Sequence, residues 1–234
     1  MLRELIEAWR GRDLLSRMLD EFDEMLVDAE WMYHAAWRVV AREVPPGQVE
    51  DDIYARDKKV NRTQRRIRRQ VIEHLTLRPE ANLAACLVLM SVVKDAERIG
   101  DYCKGFYEVG EQARLPFAGD SYAEPLRGTF LDVSALFDQV RVAFRQGEEQ
   151  LAHNLVSRCR EIAKRCDRIV RSLFRSDLVT AKAVGYTLLF RYLKRVDVHI
   201  LNIATAVVAP VHEIDYITEY LRDEDREEKG TVSS

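Results

Sequence analysis

Apolar side chains return at every third or fourth position through six long stretches of this chain, and proline or glycine marks most of the breaks between them. Leu15, Met18, Leu19, Phe22, Met25, Leu26, Ala29 and Met32 form the first stripe. That period fits the turn of an α-helix and not the two-residue alternation of a strand. It predicts a helix over residues 14–44, ended by Pro45, Pro46 and Gly47. A second helix is expected over 49–77, with Glu50, Asp51 and Asp52 complementing the dipole of its first turn. A third is expected from Pro79 to about residue 113. Short turns between long helices make them antiparallel neighbours in a bundle.

The clearest break, 115–125, holds Pro116, Gly119 and Pro125. The pattern then recurs as helices over 124–145, from the turn at Gly147 to 175, and from an N-cap at Ser176 or Asp177 to 209. Pro210 interrupts it, and a last short helix is expected over 211–222. Three helices, a break and three helices make an internal repeat of about 100 residues. The fold expected is all-α: two tandem antiparallel three-helix bundles, each like a spectrin repeat. They occupy residues 1–113 and 123–225, joined by a linker at 114–122 and followed by a polar tail at 226–234.

Few helix breakers, 10 Gly and 6 Pro in 234 residues, agree with that class. The formal net charge of -3 gives no general affinity for nucleic acid. Cys86, Cys103, Cys159 and Cys166 form no CxxC pair and fall in apolar helical segments, which points to buried thiols in a reducing cytoplasm. No apolar run approaches the roughly 20 residues that span a bilayer.

The third helix carries Asp95-Ala96-Glu97-Arg98-Ile99-Gly100-Asp101. Glu97 and Asp101 are four residues apart, so both side chains reach one point on a single helix face. They continue the stripe Leu83, Leu87, Met90, Lys94. Acids in such a place need a partner, and a hard metal ion is one that suits paired carboxylates, with a second helix adding ligands. A solvated face or a nearby base serves as well. The second helix carries eight bases between 56 and 69 against one acid, Asp57. Without interleaved aromatics this is a poor nucleic-acid surface, and it reads as a solvated face or a dock for an acidic partner or anionic membrane. Arg62, Arg65, Arg66 and Arg69 are the docking candidates.

Enzymatic constellations are scarce. A di-iron bundle needs Glu-x-x-His pairs, and no histidine here has a glutamate three residues before it. Glu30 and His34 have only i,i+4 spacing. Neither a nucleophile elbow nor a phosphate-binding P-loop appears.

The run Asp95–Asp101 resembles the signature of the PhoU family of phosphate-signalling proteins. Leu193, Arg195, His199, Asn202, Ile203 and Ala204 are similar to the family's second copy of it. The resemblance extends over nearly the whole chain. It implies metal binding through paired Glu/Asp-x-x-x-Asp motifs on the second and third helices of each unit. In the first unit these are Glu97 and Asp101, with Asp57 and Asn61 opposite, for a divalent ion or ferric iron (iron, zinc, manganese or magnesium). In the second unit Ala163, Lys194 and Val198 replace acids and leave Asp167, so a Lys194–Asp167 salt bridge is expected in place of an ion. The implied function is that of a non-enzymatic cytoplasmic negative regulator of inorganic phosphate uptake. It would form a homo-oligomer, such as a dimer, and dock on the ATPase subunit of a phosphate transporter, on a sensor histidine kinase, or on both. No nucleic acid is expected, and membrane contact only through partners. The alternatives are a metal-free helical adaptor and a metal-dependent oxidase or phosphohydrolase built on the same acids.

Overall fold

The computed structural model describes residues 13–77 and 82–214, and these contain six long helices and no strand. The helices are α1 (Asp13–Val40), α2 (Glu50–Leu77), α3 (Leu83–Gln112), α4 (Ala123–Gln146), α5 (Glu149–Leu173) and α6 (Thr180–Val208). In α1 the periodic residues Leu15, Met18, Phe22, Met25, Leu26, Ala29 and Met32 are all buried, so the stripe that forms the helix is also its core face.

Several ends differ from those the sequence predicts. Helix α1 stops at Val40, before the prolines, because Arg42 turns into the left-handed region at φ 59. The N–H groups of Glu43 and Val44 then fold back on the Arg38 carbonyl at 2.8 and 3.3 Å. Helix α5 closes at Leu173, and the Ser176 hydroxyl donates backwards to the Leu173 carbonyl. Ser176 therefore does not cap α6, which starts at Thr180 after extended Val179. Helix α3 starts at Leu83, whereas Pro79 lies outside the described residues. Of the segment 211–222, a 3-10 turn over Val211–Glu213 is seen, and residues from 215 onward lie outside the description. Residues 1–12 and the polar tail do so too.

Within each half, the second helix packs on the first and third: α2 against α1 and α3, α5 against α4 and α6. The halves meet along two seams, α3 with α6 and α1 with α4. On the first seam Asp95 meets His199 and Asn202, Tyr102 meets Tyr192 and His199, and Gly105 lies under Tyr192. On the second, Phe22 packs on Phe144 and Tyr33 on Phe130, with ring centroids 4.9 and 4.7 Å apart. Numbers rise on one helix as they fall on its partner, so both seams are antiparallel. The two halves are thus related by an approximate twofold rotation across the helix axes. Buried side chains from all six helices form one continuous core.

Candidate functional site

Helices α2 and α3 bring Asp57, Asn61, Glu97 and Asp101 to the same side of the first bundle, and a cation lies among them. It is an ammonium. Lys104, one turn beyond Asp101, places Nζ 3.2 Å from Asp57 Oδ1 and 3.4 Å from Asp101 Oδ1. Partial burial works against its charge. The hydrogen bond and charge of Asp57, followed by those of Asp101, outweigh this and hold the Lys104 pKa above the ordinary lysine value. Asn61 turns its amide nitrogen to the Asp57 carbonyl at 3.1 Å. Glu97 faces Arg98 at 3.9 Å, and its pKa is raised by burial, then by the charge of Asp101, against the pull of Arg98 and Arg68. Among the described residues no three His, Cys, Asp or Glu side chains are arranged to hold a metal ion. In this arrangement Asp57 and Asp101 share the Lys104 ammonium.

The second bundle repeats the device. Lys194 of α6 forms the expected ion pair with Asp167 of α5, and Arg191 Nη1 stands 4.0 Å from the same carboxylate. In both halves a lysine on the third helix bridges to an aspartate on the second.

The basic face of α2 splits in two. Arg56 and Lys59 turn inward to Asp28, Arg56 also covering the Trp31 ring at 4.2 Å, and Arg66 pairs with Glu21 at 3.0 Å. Arg62, Arg65 and Arg69 are exposed and have no carboxylate partner among the described residues. Of the four docking candidates, Arg66 alone has an ion-pair partner among the described residues, and Arg65 Nε donates to the Asn61 carbonyl at 3.2 Å.

Two buried acids were not recognisable from spacing. Asp95, fully buried, accepts from Asn202 Nδ2 at 2.9 Å and lies 2.7 Å from His199 Nδ1, linking α3 to α6 across the halves. Asp197 is equally buried, and neither of its oxygens has a hydrogen-bond partner of normal geometry. Burial drives its pKa well above the carboxylate range, with a weak Cys159 thiol contact and the charges of Lys194 and Arg165 opposing. All four cysteines are free and buried. His34 Nε2 meets Ser134 Oγ at 3.1 Å on an exposed surface, while Glu30 turns toward Arg141, so the three do not form a relay.

Residues 15–109 match the PhoU domain family. Among solved structures, the phosphate transport system regulatory protein PhoU from Streptococcus pneumoniae superposes with a TM-score of 0.73 at 18% identity, covering 83% of this chain and 93% of that one. PhoU from Pseudomonas aeruginosa gives a TM-score of 0.66 at 19% identity, over 91% and 99% of the two chains. No curated protein sequence matches.

Proposed function

We propose that the chain, whose residues 15–109 match the PhoU domain family, is a member of that family and regulates inorganic phosphate transport by docking rather than by catalysis. The observation that carries this reading is the family match on α1–α3, set within a six-helix fold shared with a phosphate transport system regulatory protein. Among the described residues no helix is long and apolar enough to cross a membrane. In this reading the protein works in the cytoplasm and reaches the membrane through partners. The ATPase subunit of a phosphate transporter and a sensor histidine kinase are the partners to test, with the exposed bases of α2 as the contact. Deleting the gene from its host is expected to raise phosphate uptake severalfold in phosphate-rich medium, with the wild-type chain restoring restraint. Uptake unchanged by deletion, in rich and in starved cells alike, would remove the regulator reading.

The α2–α3 carboxylates work here as a lysine-closed clasp that fixes the spacing of the two helices. A metal ion at Asp57, Asn61, Glu97 and Asp101 would have to displace Lys104, exchanging one cation for another. Elemental mass spectrometry on protein purified without a metal-affinity step is expected to find well under one ion per chain. Lys104→Ala, which leaves the carboxylates without their ammonium, is expected to gain affinity for added manganese. About one ion per wild-type chain, lost on combining Glu97→Ala with Asp101→Ala, would instead establish the metal site.

A further inference from the structure

The bases that the fold leaves unpaired on α2 recur on α5 with the same spacing. Lys58, Arg62, Arg65 and Arg69 follow one another at steps of 4, 3 and 4, and Lys164, Arg168, Arg171 and Arg175 repeat the pattern, each 106 residues later. Steps of 4 and 3 trace a line along one side of a helix. On α2 that line lies about half a turn from the core residues Ile53, Val60 and Ile67, so it points straight away from the bundle. All four bases on α2 are exposed, as are Arg168, Arg171 and Arg175 on and just past α5. None of these three arginines has a carboxylate partner among the described residues, nor have Lys58, Arg62 and Arg69. The neighbouring bases behave differently. Lys59 reaches inward to Asp28, and Arg165, 106 residues later, reaches inward to Asp132. In both halves the base beside the line turns to that half's own first helix, while Arg62, Arg65 and Arg69 on α2 and Arg168, Arg171 and Arg175 in the second half stay exposed. Like charges one turn apart repel by about 0.2–0.5 kcal/mol per pair, so the lines give the fold nothing.

Each line also runs toward exposed apolar side chains at the end of the second helix and the start of the third. In the first half these are Ile72 and Leu77 (82% exposed), with Leu83 and Leu87 at the start of α3. In the second they are Phe174 (85% exposed), Val179, Val184 and Leu188. A charged track ending in an apolar anchor is the layout of a protein interface, whose apolar contacts carry affinity while the charges set register and rate.

We propose that the molecule is bivalent: each flank, α2 and α5, docks one acidic amphipathic helix whose carboxylates recur at heptad spacing and whose apolar end covers those exposed apolar side chains. The approximate twofold rotation puts α2 and α5 on opposite flanks with their lines facing apart, so a flat anionic bilayer meets one at a time whereas two helices meet both. This deepens the docking part of the function proposed above and is independent of the phosphate response.

The test is calorimetric titration of the full chain with a synthetic helical peptide of about 20 residues, long enough to hold its helix. It carries glutamates at steps of 4, 3 and 4 and leucines at one end. Two peptides per chain are expected, with affinity falling as salt rises. Combining Arg62→Glu, Arg65→Glu and Arg69→Glu is expected to leave one site, and combining Arg168→Glu with Arg171→Glu the other. All five together weaken binding by at least about tenfold. These positions are exposed, so circular dichroism should show unchanged helix content. One peptide per wild-type chain, none, or binding indifferent to the reversals would overturn the proposal. Sedimentation with phosphatidylglycerol vesicles in the absence of peptide binding would overturn it in favour of a lipid surface. A one-site result leaves the phosphate regulator standing, and an unchanged phosphate response in deleted cells leaves bivalence standing.

Discussion

Exchanging Asp197 for asparagine is expected to flatten the pH dependence of stability and to leave the variant ahead of wild type in alkaline solution. The carboxyl is buried among apolar side chains without a normal hydrogen-bond donor, and its pKa is raised well above 3.8. Between the unfolded and folded values the native chain holds a proton that the unfolded chain releases. Stability from this group is therefore complete below about pH 4 and is lost as pH rises through the folded value. The slope is at most about 1.4 kcal/mol per unit, so wild type should lose ground to the variant as pH rises from about 4 through the folded value. Asparagine keeps the shape and removes the titration. Guanidinium unfolding at several pH values measures the difference, and parallel curves for the two proteins would refute the protonated-core account.

Truncating Asp95 should have the opposite sign. Its Oδ1 is the shared partner of His199 and Asn202 at the α3–α6 seam, and Tyr102 stacks on the His199 ring with centroids 5.5 Å apart. Asp95→Ala leaves two polar groups from α6 facing an apolar hole. A loss of about 2–4 kcal/mol follows from leaving two buried hydrogen-bonding groups without their partner, at about 1–3 kcal/mol each. Because the contact joins the halves, the unfolding midpoint should drop for probes in both bundles together. A loss below about 1 kcal/mol would mean that water already satisfies these groups.

What the chain discloses by pattern alone follows the range of the interactions. Helix existence is local: the apolar period of α1 and the glycine at 147, which takes φ 66 at the end of α4, are readable from neighbours. The early end of α1 is less so, since arginine seldom adopts the left-handed turn found at Arg42. At the candidate site, spacing correctly puts Glu97 and Asp101 on one face but says nothing of what reaches them. Lys104 was within reach of the same argument, because it stands three residues after Asp101 on that face. Asp57 comes from another helix 47 residues away from Lys104. Asp95 is two positions from Glu97, about 200° around the helix. Its partners lie more than 100 residues further on, so no local pattern shows that this acid of the signature faces the other bundle. The Lys194–Asp167 pair could be expected because the internal repeat supplied the alignment that a single unit lacks.

The two antiparallel seams have a consequence for how the polypeptide acquires its shape during synthesis. Tyr33 finds its carbonyl partner, that of Phe130, 97 residues downstream, and Asp95 finds Asn202 after 107. At about 5–20 residues per second, a ribosome needs roughly 5–20 s to make such a span. For that interval the nascent first bundle shows solvent the apolar flanks of α1 and α3, with a bare acid between them. Newly made first halves of two chains then present each other with related surfaces, and exchange of α4–α6 between neighbours on one messenger becomes the natural error.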